Sequence, residues 1–136
     1  MFERFRLSFP AVKLYNIKVE KWSITPYESW IICALVKATN SKTVFEIGTF
    51  KGITTINIAE NLPSNGKIYT LDINQHLKPT KKIIPIEADS KTFDFSPYFN
   101  KIDLFFIDGC HEYEYVLSDS INAFNCVKNG GFYYMA

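Results

Sequence analysis

From residue 43 onward the chain alternates between short apolar runs and helix-length amphipathic segments: TVFEIG, ITTINIAENL, the turn PSNG, then KIYTLDI. This is a β-α-β unit, which requires a parallel strand pair and a right-handed crossover. The pattern continues. KKIIPIEAD predicts a third strand, IDLFFIDG a fourth, EYEYVLSDSINAFNCVK a helix, NGG the C-terminal stop of that helix, and FYYM the start of a fifth strand. The strand cores are apolar almost throughout, as expected when helices cover both faces of a sheet. The economical architecture is an open, doubly wound, mainly parallel Rossmann-like α/β sheet.

Upstream, SITPYESWIICALVKATNSK predicts a helix over about 26–39. Thr25 can cap it, Pro26 suits its first position, and Glu28 stands three residues after Thr25, which completes a capping box. Residues 1–22 read as an irregular or short helical lead-in, because Phe2, Phe5, Leu7 and Phe9 alternate like a strand and Pro10 interrupts them. With 136 residues the length suits one domain, 1–136, made of a lead-in (1–24) and a core (25–136). The end at Ala136, a few residues into the fifth strand, reads as a fragment or a shortened version of a longer fold.

A formal charge of +1 provides no electrostatic footprint for nucleic acid or for an anionic membrane, so the expected partner is a small molecule or a protein. Cys33, Cys110 and Cys126 show no CxxC or Cys/His metal spacing. There is no apolar run of membrane-spanning length and no signal-peptide pattern at the start. A soluble, cytoplasmic protein with reduced thiols is the expectation.

In an open parallel sheet, ligands bind beyond the carboxyl ends of the strands. Those ends carry Glu46 to Gly52, then Asp72, then Asp89 and Ser90, then Asp108 to His111. Gly48 can take backbone angles closed to other residues, and Gly52 allows close approach. A glycine pair alone fits a plain tight turn equally well. Asp72, at the end of the next strand, adds a carboxylate that can accept from both hydroxyls of a ribose. The spacing is Glu-x-Gly-x-x-x-Gly rather than the dinucleotide GxGxxG. Glu46 would repel a pyrophosphate and tolerate a ligand carrying an ammonium group. This favours a sulfonium amino acid nucleoside over NAD.

EIGTFKG, the acid in YTLDI, the EADS segment and FFIDGCHEYEYV together resemble the class I S-adenosylmethionine-dependent methyltransferases, especially the small-molecule O-methyltransferase-like branch. The resemblance spans roughly residues 25–135. It implies that Glu46, Gly48, Thr49, Phe50 and Gly52 surround the methionine part of the cofactor. Asp72 would hold the ribose hydroxyls with Ile73 against the adenine, Asp89 would face the adenine amino group, and the Ser90 backbone would fix the ring edge. Asp108 would lie near the cofactor amine and the transferred methyl. The family's usual antiparallel strand pair after the fifth strand is missing. Relatives in one branch use the strand-four aspartate as a divalent-metal ligand, with further ligands after the fifth strand. The resemblance therefore implies only an incomplete metal site here.

His111 is the candidate base for methyl transfer, since imidazole titrates near neutral pH, although a histidine there can equally serve the following helix. A Cys110/His111 nucleophile pair lacks an orienting partner at recognised spacing. Tyr113, Tyr115, Phe124, Tyr133 and Tyr134 read as helix and strand packing. Tyr27, Trp30 and His76 read as surface or core residues that could also shape an acceptor pocket. The leading expectation is methyl transfer from S-adenosylmethionine to an oxygen of a small-molecule acceptor. The alternatives are a non-catalytic cofactor-binding or assembly module, which would use the exposed edge of the fifth strand to pair with another chain, for example as a homodimer, and an NAD-dependent oxidoreductase.

Overall fold

The computed structural model describes residues 11–15, 17–19 and 21–136. The alternation of Phe2, Phe5, Leu7 and Phe9 lies outside them. The described part of the lead-in up to Ile24 contains no helix or strand. It is tied to the body by two asparagines one helical turn apart. Asn61 accepts from the Lys13 amide (2.9 Å) and donates to the Lys13 carbonyl (2.6 Å), while Asn57 accepts from the Tyr15 amide (2.9 Å).

The elements follow as α1 (Pro26–Ala38), β1 (Thr43–Ile47), α2 (Ile53–Asn61), β2 (Lys67–Asp72), β3 (Ile83–Glu87), β4 (Ile102–Ile107), α3 (Tyr113–Cys126) and β5 (Val127–Met135). The capping box at Thr25 and Glu28 forms as expected, with the Thr25 hydroxyl accepting from the Glu28 amide and Glu28 accepting from the Thr25 amide. All strand pairings are parallel, in the order β3-β2-β1-β4-β5. The order reverses between β1 and β4, so the crevice of the sheet opens at their carboxyl ends.

Two cores flank the sheet. On one face α1 and α2 pack Ile32, Val36, Ile58 and Leu62 against Val44, Ile68, Leu104 and Phe106. On the other, α3 contributes Ala123 and Cys126, and an aromatic group of Phe93, Phe95 and Tyr98 covers Phe45 and Phe105. Apart from one short 3-10 turn, Ser96–Tyr98, the β3-to-β4 connection among these residues is irregular, and its rings fill the place a crossover helix would take.

The expected stop at NGG is corrected by the structure. Helix α3 ends at Cys126, Val127 is already extended, and Asn129 to Gly131 lie inside β5. The pairing steps from Ile102↔Val127 to Leu104↔Phe132, so β5 spends extra residues in a bulge. Gly130 has φ +83°, and a side chain at Gly131 would meet the Asp103 carbonyl oxygen at 2.8 Å. The glycines serve the bulge rather than a helix cap.

Candidate active site

The loop leaving β1 crosses the switch point in very close contact with the loop leaving β4. A Cβ on Gly48, at φ +94°, would sit 2.0 Å from the Asp108 carbonyl oxygen, so only glycine fits. Phe50 takes a positive φ of 46° in the same loop. The Asp72 Oδ2 accepts the amides of Thr49 (2.9 Å) and Phe50 (2.8 Å), and its Oδ1 accepts the Asn74 amide (3.0 Å).

Beyond these strand ends lies a cavity of about 530 Å³, lined by Trp22, Ile47, Gly48, Phe50, Leu71, Asp72, Ile73, Ala88, Asp89, Ser90, Asp108, Gly109, Cys110, Glu112 and Tyr115. Asp89 is steadied at its rim, accepting from the Lys91 amide (2.9 Å) and the Tyr115 hydroxyl (3.1 Å). A second cavity of about 320 Å³ adjoins it, lined by Trp22, Ser23, Ile24, Glu28, Asp108, Gly109, His111 and Ala136. Trp22, Asp108 and Gly109 belong to both. Burial pushes the Asp108 carboxyl up to about 6, with Glu28 adding to the rise and His111 opposing it.

Three of the sequence candidates stand behind the first cavity rather than on its wall. Glu46 is fully buried. Its Oε2 accepts from the Thr55 hydroxyl and from the Thr70 hydroxyl (2.5 Å), while its Oε1 has no partner. Burial pushes its pKa up to about 7, and the negative charges of Asp108 and Asp72 push the same way. Thr49 is buried in the same network, sharing a hydrogen bond with Thr70 (2.6 Å) and accepting from Gln75 Nε2 (3.0 Å). Gly52 caps α2 at φ +75° and faces Leu77, whose side chain a Cβ would meet at 2.6 Å. Gly48, Phe50, Asp72, Ile73, Asp89, Ser90 and Asp108 line the first cavity, and His111 lines only the second.

Trp22, Tyr115, Gln75 and Asp119 were not singled out for this site from the sequence. Tyr115 carried a signal, falling one helical turn behind His111 at the start of α3. Trp22, in the lead-in, carried none. The packing reading of the aromatics is also corrected. Tyr113 and Phe124 are 78% and 74% exposed, and Tyr133 is half exposed, whereas Tyr134 stacks on Phe106. Tyr27, Trp30 and His76 line neither cavity. Among the described residues, no group of three or more His, Cys, Asp or Glu side chains is placed to hold a metal ion, and no helix is long and apolar enough to cross a membrane.

A parallel sheet with a glycine turn at its switch point and acids at successive strand ends defines a Rossmann-like α/β fold. The family described as "Methyltransferase domain" matches residues 45–135, and the chain belongs to it. Among solved structures it is similar to the O-methyltransferase from Bacillus cereus in complex with SAH (TM-score 0.68, 16% identity, covering 85% of this chain and 58% of that one). It is also similar to the O-methyltransferase TomG from Streptomyces achromogenes, in complex with SAM (TM-score 0.62, 16% identity, covering 84% and 56%). The chain thus spans a little over half the length of these structures. No curated protein sequence matches it significantly.

Proposed function

We propose that the larger cavity binds S-adenosylmethionine and that the chain passes its methyl group to an oxygen of a small molecule seated in the smaller cavity. The observation that carries this reading is Asp108, a carboxylate that lines both cavities, with its backbone packed against the Gly48 turn. The donor set suits the cofactor. The larger cavity has the size of a nucleoside-type site. Its wall carries Asp72, Asp89 and Asp108, an acidic surround that attracts a sulfonium and an ammonium group and repels a pyrophosphate.

Bound S-adenosylmethionine supplies a methyl group already activated on a sulfonium sulfur. The protein's share is alignment and proton handling. Asp72 grips the ribose hydroxyls while its existing hydrogen bonds fix the loop, Asp89 meets the base edge, and ionised Asp108 attracts the cofactor amine. On the acceptor side, a ring nitrogen of His111 takes the hydroxyl proton as the oxygen becomes the nucleophile.

The test is transfer of labelled methyl from S-adenosylmethionine to a panel of small hydroxylated acceptors, with oligomeric state measured on the same sample. Turnover supports the reading. Cofactor binding by a dimer with no turnover on the panel favours instead an assembly module that pairs through β5, one of the two edge strands of the described sheet.

A further inference from the structure

Three side-chain contacts tie the segment after β3 to the first turn of α3. The Tyr115 hydroxyl donates to Asp89 Oδ2 (3.1 Å), Lys91 Nζ pairs with Glu114 Oε2 (2.5 Å), and the same ammonium lies 4.8 Å from the centre of the Tyr115 ring. Lys91 and Glu114 are exposed, and an ion pair at the surface contributes little stability by itself. Asp89 and Tyr115, by contrast, both line the larger cavity. The ion pair thus stands outside the cavity lining and braces a residue that belongs to it. An ionised carboxylate can only accept hydrogen bonds, through two oxygens with two lone pairs each. In Asp89 both oxygens are held from the protein side, Oδ1 by the Lys91 amide (2.9 Å) and Oδ2 by Tyr115, which leaves each a lone pair to offer. The same hydrogen bond from Tyr115 raises its phenol above the usual range, so the hydroxyl keeps its proton and remains the donor.

We propose that Tyr115 is a positioning residue for base selection: its hydroxyl fixes the Asp89 carboxylate so that a remaining lone pair receives an exocyclic amino group of the bound nucleoside, and Lys91 with Glu114 holds Tyr115 in place. This rests on the cofactor reading above. A 6-amino purine brings a donor to that lone pair. A 6-oxo purine brings a carbonyl, and neither the carbonyl nor the carboxylate can donate. A site built to accept a hydrogen bond rejects the analogue that lacks the donor, because its own acceptor is left unpaired. That rejection needs a carboxylate that cannot turn away. Without the Tyr115 hydroxyl, Asp89 is held through one oxygen only and can rotate to relieve the mismatch.

The test is Tyr115→Phe in the whole chain, read by calorimetric titration with S-adenosylhomocysteine and with S-inosylhomocysteine. The substitution keeps the ring and removes only the hydroxyl, so the fold should survive it. The unsubstituted chain should prefer the adenine ligand. In the variant, affinity for that ligand should be about tenfold weaker and affinity for the hypoxanthine ligand hardly changed, so the preference shrinks by about the same factor. In an Asp89→Ala background, Tyr115→Phe should cost nothing further, because the hydroxyl acts through that carboxylate. A merely structural role for Tyr115 would weaken both ligands alike. An equal loss for both, no loss for either, a further loss in the Asp89→Ala background, or no base preference in the unsubstituted chain overturns the proposal and leaves the cofactor reading intact. Failure of the unsubstituted chain to bind S-adenosylhomocysteine at all overturns both.

Discussion

Asp72, the last residue of β2, holds the backbone of the loop that leaves β1: its Oδ2 accepts from the Thr49 amide at 2.9 Å and from the Phe50 amide at 2.8 Å. One carboxylate therefore shapes the glycine turn and lines the cavity that the turn encloses. Removing it should have two separable effects. Asp72→Ala should lower unfolding stability by about 1 to 3 kcal/mol and weaken S-adenosylhomocysteine binding by a similar free energy. Asp72→Asn keeps an acceptor for the loop but offers the ribose one oxygen fewer, so its binding loss should exceed its stability loss. Equal small effects on both, from chemical denaturation and titration, would speak against a ribose contact.

Gly48 and Gly130 both have positive φ, +94° and +83°, but only Gly48 is crowded. Gly48→Ala adds a clash with the Asp108 carbonyl to the backbone strain and should cost about 3 kcal/mol or more, with cofactor binding lost. Gly130 has nothing within 4 Å, so Gly130→Ala should cost about 1 to 2 kcal/mol and leave binding unchanged. Denaturant midpoints for the two variants check the contrast.

Glu46 predicts a pH dependence. Its pKa, pushed up to about 7 in the folded chain from 4.5, means that the folded state holds a proton the unfolded state has released. The stability from this group is complete below pH 4.5 and is lost as pH rises to about 7. The loss should be about 3 kcal/mol. Glu46→Gln should remove that slope, so the variant gains on the unsubstituted chain as pH rises through the window. Parallel stability profiles from pH 4 to 8 would contradict a buried, neutralised Glu46.

Asp108 predicts a pH dependence of binding. Its carboxyl, pushed up to about 6, carries charge only above that pH, where it can attract the cofactor amine. Affinity for S-adenosylmethionine should therefore strengthen as pH rises through about 6, and Asp108→Asn should abolish the inflection. His111→Ala should leave that affinity intact while slowing methyl transfer by about a hundredfold or more, the effect of losing a general base. A His111 variant with full turnover would remove it from the mechanism.

Much of this arrangement was legible because it depends on local chemistry. The Thr25–Glu28 capping box, the β-α-β unit and the acids at four strand ends need only spacing and periodicity. The direction of Glu46 was not legible, since an acid at a strand end can turn to the ligand or inward. Thr55 and Thr70, nine and twenty-four residues away, draw it inward. NGG misled because glycine after a helix and glycine in a bulge use the same backbone freedom, and pairing with β4 decides between them. Gln75 acts through contacts made only once the strands are side by side. Trp22 reaches both cavities from a lead-in without periodicity.

The central claim is that the acid-lined cavity accepts a cationic sulfonium nucleoside. Melting temperature measured with S-adenosylmethionine, S-adenosylhomocysteine and NAD tests it most directly, because a ligand bound to the folded state alone raises stability in proportion to the logarithm of its concentration over Kd. The account predicts a concentration-dependent rise with the first two and none with NAD. A rise with NAD and none with S-adenosylmethionine would contradict it.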